Sequence, residues 1–193
     1  MKRKLLLILS GIFLLSVSGY SQIQKGSVLA GGDIANFNIG LKSGSAFQMT
    51  IDPKFAFFIQ DNLAIGAYIN FGLTTVAHST ATSYGVGGLA RYYFNDKKNM
   101  TPLRHSRFFI EGNVGINGEN VSGGSSTNGL GLGIGPGYAY FITPNVGLET
   151  LLKYNGIVGF GNATTQSNLN LNVGFQIYLP SHKLKSRLEN DTR

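Results

Sequence analysis

Apolar residues alternate with small or polar residues along most of this chain. The clearest run is 47–59, whose odd positions are Phe47, Met49, Ile51, Pro53, Phe55, Phe57 and Ile59, while most even positions are small or polar. Successive side chains of a β-strand point to opposite faces of the sheet. The run therefore predicts a strand with one apolar face, and its recurrence along the chain predicts a closed barrel.

We predict eight strands within a single domain, at about residues 26–40, 46–60, 63–77, 83–95, 107–120, 129–143, 146–160 and 168–179. Each is long enough for the ~9–11 residues that a tilted membrane strand needs. Tight turns at 60–62 and 143–145 alternate with longer polar connectors at 42–45, 78–82, 120–128 and 162–167. Short turns are typical of the periplasmic side and long loops of the outer side. Both termini are thereby predicted to be periplasmic.

Two local features predict irregular pairing. Leu29, Asp33 and Phe37 share a parity in the first strand, which indicates a bulge or a shorter strand there. Residues 53–65 also align with residues 136–148, so strands 2–3 and 6–7 are predicted to be equivalent hairpins. Proline interrupts strand pairing, and bulges are therefore predicted at Pro53 and Pro136.

The first 21 residues have the three parts of a secretory signal peptide. A basic start of Lys2, Arg3 and Lys4 precedes an apolar segment at 5–17, and small residues stand at Gly19 and Ser21. The alternative is a membrane anchor, for which the segment is short of the ~20 residues needed. We predict a signal peptide at 1–21, a barrel at 22–180 and a periplasmic tail at 181–193.

Charge and cysteine content exclude several classes of protein. Removing the three basic residues of the signal leaves 13 Lys and Arg against 9 Asp and Glu, a net charge of +4. Much of the remaining basic charge lies in the connector at 97–107 and in the tail, so no nucleic-acid partner is predicted. The absence of cysteine excludes a disulfide scaffold and a lipid-modified cysteine.

The second face of the strands decides between a membrane barrel and a soluble one. A soluble, lipocalin-like barrel carries its apolar face inward and charged residues outside. Here the second face is mostly Gly, Ala and Asn, and charged residues are 13% of the chain, against about 25% in typical soluble domains. Small side chains suit the interior of a narrow barrel. The sequence therefore predicts an all-β fold, an eight-stranded antiparallel up-and-down transmembrane β-barrel in contact with outer-membrane lipid.

The signal peptide, the eight alternating strands and the repeated aromatic-Phe-Ile-x-x-Asn hairpin together resemble a known family. It is the small porin-like outer-membrane β-barrel family, similar to OmpX and the barrel domain of OmpA, and the resemblance covers residues 25–179. It implies a location in the outer membrane, periplasmic chaperones and insertion by the barrel-assembly machinery. Such chains often end on an aromatic strand that resembles residues 174–179, but Pro180–Arg193 follow it here.

Ionisable residues are the main candidates for chemistry inside the barrel. Six have inward parity, and a seventh, Asp33, joins them if the first strand has a bulge; the set is Asp33, Asp52, Lys54, Arg91, Glu111, Glu149 and Lys153. Their formal charges sum to −1. We expect Arg91 to face Glu111 and Asp33 to face Lys54 in a salt-bridge network that fills the lumen. The alternative is a polar path for ions.

The function predicted from these features is a structural or interaction role for a barrel with a filled lumen. A narrow pore for small solutes or ions is the alternative, and a lipid-modifying enzyme is the third candidate. The enzyme would need Ser, His and an acid at the outer rim, where the candidates are His78, Ser79, Ser83 and Glu119. No catalytic residue, cofactor or metal site is predicted, because His105 and His182 lack ligand neighbours. The polar loops, such as 121–128, are the candidate contact for an extracellular ligand.

Overall fold

The computed structural model describes residues 23–39, 47–76, 79–94, 106–122, 126–160 and 166–180. Each strand pairs antiparallel with the next, and β1 pairs with β8 to close the barrel. This confirms the predicted eight-stranded up-and-down architecture. The strands are β1 (Val28–Ile39), β2 (Phe47–Gln60), β3 (Leu63–Val76), β4 (Ser79–Tyr93), β5 (Ser106–Val121), β6 (Ser126–Thr143), β7 (Val146–Gly159) and β8 (Gln166–Leu179).

The described part of the chain includes no helix that is long and apolar enough to span a membrane. The predicted signal peptide at 1–21 and the tail at 181–193 lie outside the described residues. We call the end of the barrel that holds residues 60–63 and 143–146 the turn end. The opposite end, which holds Val76, Ser79, Val121 and Ser126, is the loop end.

Strand β4 differs most from its predicted bounds. It begins at Ser79, four residues early, because Val76 pairs with Ser79 and Thr75 with Thr80. The predicted connector at 78–82 is therefore wrong from Ser79 onward, because residues 79–82 belong to β4. Serine and threonine are polar enough to look like loop residues, but their backbones pair as well as any others.

The two faces of each strand differ sharply in exposure. On β2, Phe55 and Phe57 are 47% and 52% exposed, whereas Ala56 and Phe58 are 0% and 2% exposed. The odd positions of the 47–59 run face outward, as the alternation predicts, and the even positions fill the lumen. The apolar face of the other strands is likewise the outer face.

The bulges lie at other positions than the prolines. In β1 the register with β2 shifts between Ala35 and Asn38, which confirms a bulge in that strand. The β2–β3 pairing passes Pro53 without a shift and shifts instead between Phe58 and Gln60. The β6–β7 pairing likewise passes Pro136 and shifts between residues 141 and 143, the equivalent place in the repeat. The bulges predicted at the prolines are wrong. Each proline interrupts the pairing with the next strand for two residues, but no extra residue is inserted and the register continues unchanged.

Inward glycines make room for large side chains from neighbouring strands. Phe109 on β5 pairs with Gly137 on β6, and a methyl group at Gly137 would collide with the Phe109 ring. Tyr68 on β3 lies over Gly87 and Gly115 in the same way. An eight-stranded barrel has an interior just wide enough for side chains. Pairing a large residue with a glycine therefore lets the large one cross the lumen.

Candidate functional site: the charged lumen

All seven predicted lumen residues are buried inside the barrel, with relative exposures between 0% and 7%. Asp33 is inward together with Leu29, and the β1 bulge lies beyond both of them. From the sequence, Asp33 is expected in the lumen only if β1 contains a bulge. Its inward position does not need the bulge, because the whole segment 27–35 keeps one parity.

Five of the seven charges form one continuous chain of ion pairs. Lys54 Nζ lies 2.5 Å from Asp33 Oδ2 and 2.8 Å from Glu111 Oε1. Arg91 Nη2 lies 2.6 Å from Glu111 Oε2, and its Nη1 lies 2.7 Å from Glu149 Oε2. Acid and base alternate along this chain, so every base lies between two carboxylates.

Direct pairing on adjacent strands explains the contact between Arg91 and Glu111 but not the contact between Lys54 and Asp33. Arg91 and Glu111 are directly opposite each other on β4 and β5, as expected. Asp33, however, is opposite Asp52, and Lys54 is opposite Gly31. The prediction that Asp33 and Lys54 directly face each other is wrong; the long lysine side chain reaches Asp33 diagonally.

The remaining two charges lie at the edge of this chain. Lys153 Nζ is 3.4 Å from Glu111 Oε1 and 5.5 Å from the centre of the Tyr68 ring. Asp52 accepts hydrogen bonds from the amides of Asn70, at 2.5 Å, and Asn172, at 3.4 Å. Asp52 therefore accepts hydrogen bonds from two neutral amides, and no described Lys or Arg lies within salt-bridge distance of it.

Two tyrosines, which sequence reasoning missed, close a ring of hydrogen bonds on the chain of charges. Arg91 Nη1 donates to Tyr93 Oη at 3.0 Å, and the two tyrosine hydroxyls are 2.7 Å apart. Tyr178 Oη donates to Glu149 Oε1 at 2.6 Å, and Arg91 donates to the same carboxylate. Period-two alternation could have placed Tyr93 and Tyr178 in the lumen, because both positions have inward parity on their strands.

An aromatic layer separates the charges from the turn end. It consists of five buried rings, with centroids 5.1 to 6.3 Å apart in each contacting pair: Phe58, Tyr93, Phe109, Phe141 and Tyr178. Phe58 and Phe141 are equivalent in the internal repeat. Ile23, 3% exposed, belongs to the same buried apolar cluster, and its carbonyl accepts from the Asn62 backbone N–H at 3.1 Å.

The residues considered for an enzyme are only partly described. Ser83 is directly opposite Glu119, and both line a cavity towards the loop end, whereas Ser79 is exposed and opposite Val76. His78 lies outside the described residues, as do residues 105 and 182. No three His, Cys, Asp or Glu side chains of the described segments are grouped to hold a metal.

No protein-family model matches this chain, and no curated protein matches it. Solved structures do match. Neisserial surface protein A has a TM-score of 0.52 at 21% identity over 83% of this chain and 97% of its own. The outer membrane protein OprG of Pseudomonas aeruginosa has 0.52 at 12% identity, over 84% and 100%. The N-terminal β-barrel domain of OprF from the same organism has 0.50 at 14% identity, over 80% and 98%. The predicted resemblance to small outer-membrane barrels is confirmed for the fold.

Proposed function

We propose that this chain, which has the fold of small eight-stranded outer-membrane barrels, is an outer-membrane protein with a structural or interaction role and a closed lumen. Its strands cross the bilayer, both termini face the periplasm, and its loops face outward. Periplasmic chaperones and the barrel-assembly machinery deliver it in this scheme.

The outer surface supports the membrane location. Large apolar side chains stand exposed on every strand, among them Ile69, Val86, Ile116 and Leu171, each between 57% and 59% exposed. Soluble monomers rarely expose contiguous apolar patches larger than a few hundred Å². Contact with lipid removes the free-energy cost of exposing apolar side chains to water, and a closed barrel has no edge strand with unpaired backbone groups.

A ring of exposed aromatics near the turn end supports the same location. Tyr92 and Phe94 pack edge to face with centroids 5.6 Å apart, and Phe108 and Tyr138 lie 5.0 Å apart across β5 and β6. Phe57 and Tyr140 are exposed at the same end. Aromatic girdles of this kind lie at the membrane–water interfaces of barrels.

The closed lumen is supported by one observation above all, the two stacked layers that fill it. The chain of ion pairs from Asp33 to Glu149 crosses from β1 to β7, and the aromatic layer lies directly beneath it. An ion would have to displace buried salt bridges and then pass between packed rings. Breaking a buried pair costs about 3–5 kcal/mol, so the resting barrel is expected not to conduct.

Single-channel recording tests this proposal. The purified protein is incorporated into planar lipid bilayers, and insertion is verified by protease protection and by the mobility difference between unheated and heated samples on gels. We expect no discrete current steps. Reproducible steps whose size changes in Arg91→Ala or Lys153→Ala, but not in Lys25→Ala outside the lumen, would contradict the closed lumen and establish the alternative, a narrow pore.

A further inference from the structure

A polar cavity of about 190 Å³ occupies the lumen between the charges and the loop end. Asp52 and Lys153 lie at its floor, and Thr74, Glu119 and Asn168 lie near the strand ends at its mouth. At ~30 Å³ for each water of the liquid, the space holds about six water molecules. We call this space, between the floor and the mouth, the cup.

Asparagines line the wall of the cup, and most of them pair with glycines on the neighbouring strands. One row across neighbouring strands reads Asn70, Gly85, Asn117 and Gly129. A second reads Asn113, Gly133, Asn155 and Asn168. A methyl group at Gly85 or Gly131 would collide with the Asn117 amide, so that amide lies over the two glycines. This arrangement keeps the cup open and leaves amides on its wall.

Buried donors and acceptors in this wall are not all satisfied by the protein. Asn113 Oδ1 is buried and has no hydrogen-bond partner. The contact between Tyr68 Oη and Asn117 Oδ1 is long, at 3.3 Å. Asn113 and Asn117 both line the cup, so their amide groups are not fully engaged by protein partners and the wall retains hydrogen-bonding capacity.

The charges of the cup argue against an anionic ligand. Lys153 is paired with Glu111, and Asp52 on the floor is a carboxylate that accepts from two amides, so the floor offers an anion no free cation. Glu119 near the mouth repels anions. Amides and hydroxyls both donate and accept hydrogen bonds, and they line most of the remaining wall. Such a wall matches a molecule whose groups also donate and accept.

We propose that the cup binds a small uncharged polyhydroxy molecule, of the class and size of one sugar ring. This ligand site goes beyond the proposed closed lumen, and it depends on that lumen only because the buried charges form the floor of the cup. It assigns the ligand site to the interior of the barrel, whereas the sequence pointed to the loops.

Nuclear magnetic resonance of the asparagine side-chain amides tests the cup directly. The full-length protein, labelled with 15N at asparagine, is prepared in lauryldimethylamine oxide micelles, because maltoside and glucoside detergents would occupy the site. It is titrated with D-glucose, D-galactose and glycerol, and with D-glucuronate as a charged analogue. We expect saturable shifts of the Asn117 and Asn155 amide signals with at least one neutral probe, and weaker binding of glucuronate.

Variants separate the cup from the rest of the protein. We expect Asn155→Leu to weaken binding about tenfold, the scale of one lost hydrogen-bonding group. Asn120→Leu, on the exposed outer face near the same end, is the matched control and should bind normally. Gly133→Ala is a second test and should also weaken binding, because the three atoms nearest its methyl group are the side-chain oxygens of Asn113 and Asn155 and the Cε of Lys153, all of which it would displace.

The proposal is overturned if none of the three neutral probes shifts these signals, or if Asn120→Leu weakens binding as much as Asn155→Leu. Tighter binding of glucuronate than of the neutral probes would overturn the assignment to an uncharged ligand. A conducting barrel would contradict the closed lumen and leave this inference standing. If no probe binds and the bilayer recordings show no current steps, the ligand site is refuted and the closed lumen stands.

Discussion

Arg91 and Glu111 lie directly opposite each other on β4 and β5, and the guanidinium donates twice to one carboxylate oxygen, Oε2, from Nε at 3.0 Å and Nη2 at 2.6 Å. The other edge of the same guanidinium donates to both oxygens of Glu149. Its flat face lies 4.2 Å from the centre of the Phe109 ring. Among the described residues, Arg91 is thus the one that joins two carboxylates and the aromatic layer.

Replacing Arg91 with alanine should destabilise the folded barrel strongly. The change leaves Glu111 and Glu149 without their shared cation in a buried site, which costs on the order of 3 kcal/mol. The measurement is the urea unfolding midpoint of the protein in lipid vesicles. Lys25→Ala, at an exposed residue, is the control. An unchanged midpoint for Arg91→Ala would show that the ion pairs do not stabilise the lumen.

Replacing Tyr178 with phenylalanine tests how much the hydrogen bonds of the Tyr178 hydroxyl stabilise the fold. The aromatic part of the side chain remains in the aromatic layer, but Glu149 loses a donor at 2.6 Å and the Tyr93 hydroxyl, which still accepts from Arg91, loses its contact with the Tyr178 hydroxyl. Hydrogen bonds to charged groups contribute about 1.5–3 kcal/mol, so we expect a loss of about 2 kcal/mol by the same unfolding measurement. Tyr154→Phe, which removes a hydroxyl from the outer face, should lose far less. Equal losses would refute a stabilising role for this bond.

Gly137→Ala tests the packing of Phe109 against the opposite strand. The added methyl group would collide with the ring, which is held between neighbours and cannot turn away, and overpacking costs about 1–3 kcal/mol. Gly112→Ala is the matched control, because Gly112 faces outward and its methyl group would meet no atom closer than 3.8 Å. Thermal or urea unfolding of both variants checks the prediction. It fails if the two substitutions are equivalent.

Val114→Arg tests whether the outer face meets lipid. Val114 lies at the centre of β5 and is 50% exposed. An arginine at the bilayer midplane costs about 2–4 kcal/mol, falling to about 0–1 near the interfaces. Val76→Arg, at the loop end of β3, should therefore cost much less. If both variants refold into vesicles with unchanged stability, the outer face is not embedded at this depth.

The inward face of each strand was predictable because parity is a property of the extended backbone. Lys54, Arg91 and Glu111 could be assigned to the lumen from period-two alternation alone. The layer that closes the turn end was missed although its signal was present, since Phe58 and Phe141 recur at equivalent inward positions of the repeat. Those positions were interpreted as part of a hairpin motif and not as a plug.

The connectors were less predictable than the strands. Residues 79–82 have the composition of a loop, yet all four pair with the end of β3, and residues 81–82 also pair with the end of β5. The bulges at Ile59 and Ile142 carry no glycine or proline that would mark them. Each arises where the strand must bend into a tight turn, a requirement of the hairpin rather than of the residue.

Alternation along the sequence by itself determined the eight strands, the apolar outer face and the set of charges that point inward, because each depends only on neighbours along the backbone. The tertiary structure alone decided which charges meet across the lumen, beyond the pairing of Arg91 with Glu111 on adjacent strands. Glu111 contacts Lys54 from 57 residues away, and Arg91 contacts Glu149 from 58 residues away. These contacts cross the lumen, so they depend on the tilt and stagger with which the sheet closes, which no single strand encodes.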